Sequence, residues 1–187
     1  MFTAGATGPP KPVQLTHANI AGLVAATDHH PDQAHLLAAP PESAPAVLHL
    51  WAALASGARV VLHPQDATSA WLTGGRLPAA LEPGPEALDN LRTLVVGAEP
   101  GSPAHTRALI SRDVLVDHVY GTAEAAGLAV RRRAGQHTDD GRILGRPVPG
   151  VRLYVLDDGL AHAPVGVPGE LMIAGVGLAA AIWTVLD

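Results

Sequence analysis

The 187-residue sequence has no cysteine, which excludes disulfides, thiolate metal centres and thiol catalysis. Lysine is nearly absent too: it occurs once, at Lys11, and the other basic residues are arginines. Aromatics make up only 3% of the chain, so a core must be assembled mainly from Ala, Leu and Val. No apolar run approaches the roughly 18 residues that a membrane-spanning helix needs, and no charged-then-apolar leader opens the chain. A soluble, cytoplasmic protein with no membrane partner is expected. Positive charge is sparse as well, with a net charge of -5. The one dense basic run, Arg131-Arg132-Arg133, is read as a solvated strand end rather than a phosphate-neutralising surface, so nucleic acid is set aside as a partner.

What is present is a globular composition, 48% hydrophobic, broken by 20 Gly and 17 Pro. That length suits one domain with a real core. Thr16 is placed to cap a helix carrying Ile20, Leu23 and Val24. A second helix is predicted from about Ala46 to Ser56, with Val47, Leu50, Trp51 and Leu54 on one face and Gly57 ending it. Arg59 to Leu62 is read as a buried strand, and Asp66 to Asn90 as loop with a short helix, because Gly and Pro interrupt every pattern there. Leu91 to Val96, Pro103 to Ser111 and Val114 to Tyr120 then give strand, helix and strand, the alternation of a mostly parallel sheet. Further strands are expected at Leu128 to Arg132, Arg152 to Leu156 and Glu170 to Ile173. The fold class is α/β, with a strand-rich last third.

Phe2 to Pro12 holds the ingredients of a phosphate loop: glycines that allow backbone N–H groups near an anion, hydroxyls, and Lys11. Its spacing is not that of G-x-x-x-x-G-K-[ST], and taken alone it is a Gly/Pro-rich turn. The His-rich stretch Asp28-His29-His30-Pro31-Asp32, with His35 beyond it, has zinc-ligand residue types but is read as a solvated, Pro-broken loop. No metal site is assigned to it.

Five segments in order nevertheless resemble the adenylate-forming enzymes. Thr3-Ala4-Gly5-Ala6-Thr7-Gly8-Pro9-Pro10-Lys11 is similar to their T-S-G-T-T-G-x-P-K-G signature, and Leu91-Arg92-Thr93-Leu94-Val95-Val96-Gly97-Ala98-Glu99 to L-R-x-L-x-x-G-G-E. Tyr120-Gly121-Thr122-Ala123-Glu124 is similar to Y-G-P-T-E, and the segments at Gly145 to Gly150 and Gly166 to Gly175 to G-x-P-x-x-G and G-E-L-x-I-x-G. Leu15-Thr16-His17-Ala18-Asn19 and Val176-Gly177-Leu178-Ala179 point to adenylation domains of nonribosomal peptide synthetases. The resemblance implies an incomplete piece of that family's large N-terminal domain, and a vestigial ATP and magnesium site at Thr3, Gly5, Thr7, Gly8, Lys11, Gly97, Tyr120, Gly121 and Glu124, with Glu124 nearest any magnesium.

The departures from the family are concentrated on ligand-touching side chains. Ala4 and Ala6 stand where hydroxyls are expected, Pro12 replaces a glycine, and Ala123 replaces the threonine of Y-G-P-T-E. Counting back from Ser56-Gly57-Ala58 puts Ser43-Ala44-Pro45-Ala46 at the family's F-D-x-S, whose aspartate pairs with a substrate ammonium. The family's ribose-binding aspartate and lysine-bearing C-terminal domain find no counterpart in these residues. The expectation is one truncated adenylation-like domain over residues 1–187, without catalytic residues or a functional cofactor. It would serve as a structural or docking element for neighbouring condensation or carrier domains, or associate with itself. The alternative is a fragment of an acyl- or aryl-acid-activating enzyme completed by other parts.

Overall fold

The computed structural model describes residues 1–3, 8–78, 88–97, 102–135 and 143–183. Its centre is a seven-stranded sheet built from β2 (Ala34–Leu36), β3 (Arg59–Val61), β4 (Ser69–Thr73), β5 (Thr93–Gly97), β6 (Leu115–Tyr120), β7 (Val130–Arg133) and β8 (Arg146–Pro147). The order across the sheet is β3-β2-β4-β5-β6-β7-β8. The first five strands in that order run parallel, and β7 and β8 add antiparallel at one edge. Outside this sheet, β1 (Val13–Gln14) pairs with β11 (Ala181–Ile182), and β9 (Val151–Leu156) with β10 (Glu170–Gly175).

Alternate residues of the central strands feed two cores. Trp71 and Val95 point into one with Leu23 of α1 (His17–Ala25) and Leu48 of α2 (Ala44–Ser56). Leu72, Leu94 and Val96 point into the other with Leu109 of α3 (Pro103–Ile110). A parallel sheet covered on both faces needs such runs, since neither side meets water. The β9–β10 ribbon is held by Leu153 and Ile173, which pack on the first core.

Several expectations need correction. The segment read as loop contains β4, a buried central strand; Ser-Ala-Trp-Leu-Thr is short, and the Gly74-Gly75 turn behind it obscured it. Arg59–Val61 is an edge strand and only partly covered. Helix α2 is apolar all round, and it buries Ala46, Leu48, His49, Ala52 and Ala53, not the expected stripe. Small alanines let the helix approach the sheet, which leaves Leu50, Trp51 and Leu54 outward at 39%, 41% and 63% exposure. Finally, His35 lies in no solvated loop, because it sits in β2 with no exposed surface.

The basic triplet is not simply solvated either. Arg131 and Arg133, two residues apart on β7, share one face and both reach Asp117 on β6, at 2.8 Å and 2.6 Å. Both also contact Asp28 beyond α1, at 2.5 Å and 3.2 Å. The hydrogen bond from Arg131 holds the Asp28 carboxyl below its usual range against the opposing effect of partial burial. Burial works against the Arg131 charge, but its bonds to the two aspartates outweigh that and raise its pKa.

Candidate functional site

The carboxyl ends of β4, β5 and β6 deliver Thr73, Gly97 and Tyr120 to one end of the sheet, where open α/β sheets form their ligand crevices. A cleft of about 400 Å³ opens there. Phe2, the first turn of α2 at Ala44 and Pro45, Trp71, Arg76 and the Gly121-Thr122-Ala123 turn form its walls.

Glycine is required twice at this end. A Cβ on Gly97 would lie 2.7 Å from Trp71 Nε1 and 2.8 Å from Val119 Cγ2, so Gly97 makes room for the indole. A Cβ on Gly121 would lie 2.6 Å from the backbone of both Gly127 and Leu128. Gly121 therefore allows the turn to fold back on itself, through the short 3-10 helix Ala123–Ala125. Both glycines have steric reasons for being there that operate without any ligand.

The phosphate-loop-like segment is closed at its base by its own backbone. Thr3 N–H donates to the Lys11 carbonyl at 3.0 Å, and Lys11 N–H donates to Thr3 Oγ1 at 2.9 Å. Phe2 and Pro12 form an antiparallel bridge just outside. The Thr3 hydroxyl is thus engaged in holding the loop shut, while the Lys11 side chain and Gly8 are exposed. Gly5 and Thr7 lie outside the described residues. Tyr120 is 37% exposed at the end of β6, and Glu124 is half-buried, its carbonyl accepting from Ala179 N–H at 2.7 Å. Gly121 lines the cleft itself, Gly97 and Tyr120 end strands beside it, and the 2–12 segment meets it through Phe2.

Ala44, which the ungapped count put in the aspartate position, lines the cleft. Among the described residues no carboxylate lines the cleft, and its charged lining side chain is Arg76, whose guanidinium donates to the Ala38 carbonyl at 2.9 Å. No group of three or more His, Asp or Glu among them is arranged to hold a metal ion. No helix among them is long and apolar enough to cross a membrane.

Sequence reasoning missed two residues that line the site and gave a third, Asn19, no structural role. Trp71 forms one wall from the unrecognised strand β4, and Arg76 follows it. Asn19 joins two segments that are distant in sequence. Its Oδ1 accepts from Thr16 N–H at 2.8 Å and Thr16 Oγ1 at 2.9 Å, completing a capping box. Its Nδ2 donates to the carbonyls of Val176 and Leu178, each at 2.8 Å. The 176–179 segment is thereby tied to α1, and Ala179 in turn holds the Glu124 backbone.

Comparison with known proteins gives a consistent result. The family model described as AMP-binding enzyme matches residues 1–183. The chain is 36% identical to a Salinispora arenicola protein described as "Probable non-canonical nonribosomal peptide synthetase (NRPS) CymA", 34% to phosphinothricin tripeptide synthetase PhsC of Streptomyces viridochromogenes, and 34% to novobiocin biosynthesis protein H of Streptomyces niveus. Each match covers 96% of this chain but only 2%, 18% and 32% of the respective relative. Among solved structures, it superposes on holo-PA1221, an NRPS protein containing adenylation and PCP domains, with a TM-score of 0.84 at 27% identity, over 97% of this chain and 36% of that one. It superposes on the Klebsiella oxytoca NpsA N-terminal subdomain with a TM-score of 0.82 at 25% identity, over 97% of this chain and 51% of that one.

Proposed function

The chain belongs to the AMP-binding enzyme family, and from that premise we propose that it is an adenylation-type domain that keeps the fold and has lost the nucleotide chemistry. Its role would be that of a structural or docking element in a cytoplasmic modular peptide synthetase, of the kind that makes antibiotics or siderophores. Its neighbours would be condensation or carrier domains, or a second copy of the chain. The relatives support a modular setting, since PA1221 carries adenylation and PCP domains together.

The observation that carries the reading is the contrast between a well-built frame and a bare site. Gly97, Gly121, the Thr3–Lys11 closure and the Asn19 tie all preserve shape. The positions that would touch ligand are Ala4, Ala6, Ala44 and Ala123. Adenylate formation is carboxylate attack on the α-phosphate of ATP, a reaction that depends on aligned donors and cations. The residues present fit magnesium–ATP poorly. A hydrogen bond to a charged group contributes about 1.5–3 kcal/mol, so losing two phosphate donors weakens binding by roughly a hundredfold to ten-thousandfold.

One observation favours a second reading. A cleft with an arginine and no carboxylate among its described lining residues suits an acid lacking an α-amino group, since an ammonium there would be unpaired. On that reading the chain is part of an acyl- or aryl-acid-activating enzyme. The two readings separate on affinity for magnesium–ATP, expected to be millimolar or weaker for the structural element.

A further inference from the structure

Three histidines are stacked between β2, α2 and the segment after α1, with His35 and His49 buried and His29 half-buried. The His35 ring lies 5.3 Å from that of His29 and 5.1 Å from that of His49, centroid to centroid, with tilted and edge-on geometry. His35 is 0% and His49 2% exposed. His49 Nδ1–H donates to the Leu36 carbonyl at 3.1 Å, and His29 Nε2 shares a hydrogen bond with Thr27 Oγ1 at 2.5 Å. Both ring nitrogens of His35 and Nδ1 of His29 have no hydrogen-bond partner among the described residues.

We propose that this histidine row is a proton-sensitive joint: with three neutral rings α2 stays seated on β2, and proton uptake by the row releases it. The surroundings support this. From β3 and β4, the register neighbours of His35 are Val60 and Ser69, which bring no charge. From α2 comes only another imidazole, His49. Around His29 stand Asp28, His30 and Arg131, and Asp28 is already committed to Arg131 and Arg133. Asp28 still favours a charged His29, but burial and the neighbouring imidazole outweigh it.

Burial, and then the neighbouring imidazoles, lower the pKa of His29 to about 4 and of His49 to about 3, and burial lowers that of His35. An unfolded histidine titrates near 6.5, so below about pH 6.5 the unfolded chain binds more protons than the folded one. Stability is therefore undiminished above that pH and falls as pH drops from about 6.5 toward 4. Between pH 7 and pH 5 the unfolded-to-folded ratio should rise by roughly 20-fold for each histidine kept neutral, and by several hundredfold for His29 and His49 together. The joint also reaches the cleft. Ala44 and Pro45 line the cleft from the first turn of the helix that carries His49, and Ala38 to Pro40 line it just beyond β2.

The test is urea unfolding of the chain at pH 7 and pH 5, beside His35→Leu, His49→Leu and the exposed control His17→Leu. The wild type and His17→Leu should show the full acid loss, His49→Leu a loss smaller by about 20-fold, and His35→Leu a loss smaller than that of the wild type. A wild-type ratio that changes less than threefold, or row variants that keep the full loss, would overturn the proposal. Should the row variants fail to fold, histidine side-chain NMR of the wild type decides. Three rings still neutral at pH 5, with backbone exchange in α2 and β2 accelerating ahead of β5 and β6 once corrected for intrinsic rates, support it. Row histidines titrating near 6.5 in the folded protein, or exchange accelerating uniformly, refute it.

Discussion

Replacing Asn19 by alanine removes four hydrogen bonds at one stroke: two accepted from Thr16 and two donated to the Val176 and Leu178 carbonyls. The site is buried, with Asn19 3% exposed, so water cannot readily take over these partners. The capping bond from the backbone N–H of residue 19 to Thr16 Oγ1 survives the change, because it does not use the side chain. A net contribution of about 0.5–1.5 kcal/mol for each lost bond, with some relaxation of the loop, gives a destabilisation of about 3 kcal/mol. For a chain of this size that is roughly 6–12 °C in Tm. Asn19→Asp should cost more than Asn19→Ala, because it retains the acceptors but turns a carboxylate toward two carbonyls. Urea unfolding followed by tryptophan fluorescence measures both. If Asn19→Ala lies within about 0.5 kcal/mol of the wild type, the tie between α1 and the 176–179 segment has been misjudged.

Asp117→Ala leaves Arg131 and Arg133 without their buried carboxylate, and since both arginines keep partial solvent access and Asp28, the loss should be about 2–3 kcal/mol in the same unfolding assay. Asp117→Asn should recover part of it. Under the proposed role in a modular synthetase, deleting the domain should reduce product formation, whereas Lys11→Ala and Glu124→Ala should leave it unchanged. Two folded point variants behaving like the deletion would restore a nucleotide-dependent role.

The legible parts of this sequence were those where a local signal and the tertiary outcome agree. Thr16 capped its helix, Gly57 ended α2, and the strand-helix-strand unit from Leu91 to Tyr120 appeared in order, because each rests on nearest-neighbour geometry. The errors arose where burial is set by distant partners. Helix α2 offered two apolar faces, and only the sheet decided that the alanine face goes inward. β4 and β2 are short central strands without alternation, and their identity depends on flanking strands remote in sequence. His35 looked polar and loop-like, yet its position in β2 makes it core. At the site, Gly97 and Tyr120 end β5 and β6, and Gly121 and Glu124 follow Tyr120. Motif order could not show that the Thr3 hydroxyl closes its own loop or that Gly97 serves Trp71, since both depend on contacts across the fold.

The most direct measurement is calorimetric titration of magnesium–ATP into the chain, with Lys11→Ala alongside. A domain that has kept its frame and lost its phosphate grip should bind no more tightly than about millimolar, near -4 kcal/mol, and Lys11→Ala should change little. A micromolar dissociation constant for the wild type, abolished by Lys11→Ala, would contradict the proposed loss of nucleotide chemistry and leave the acid-activating reading in its place.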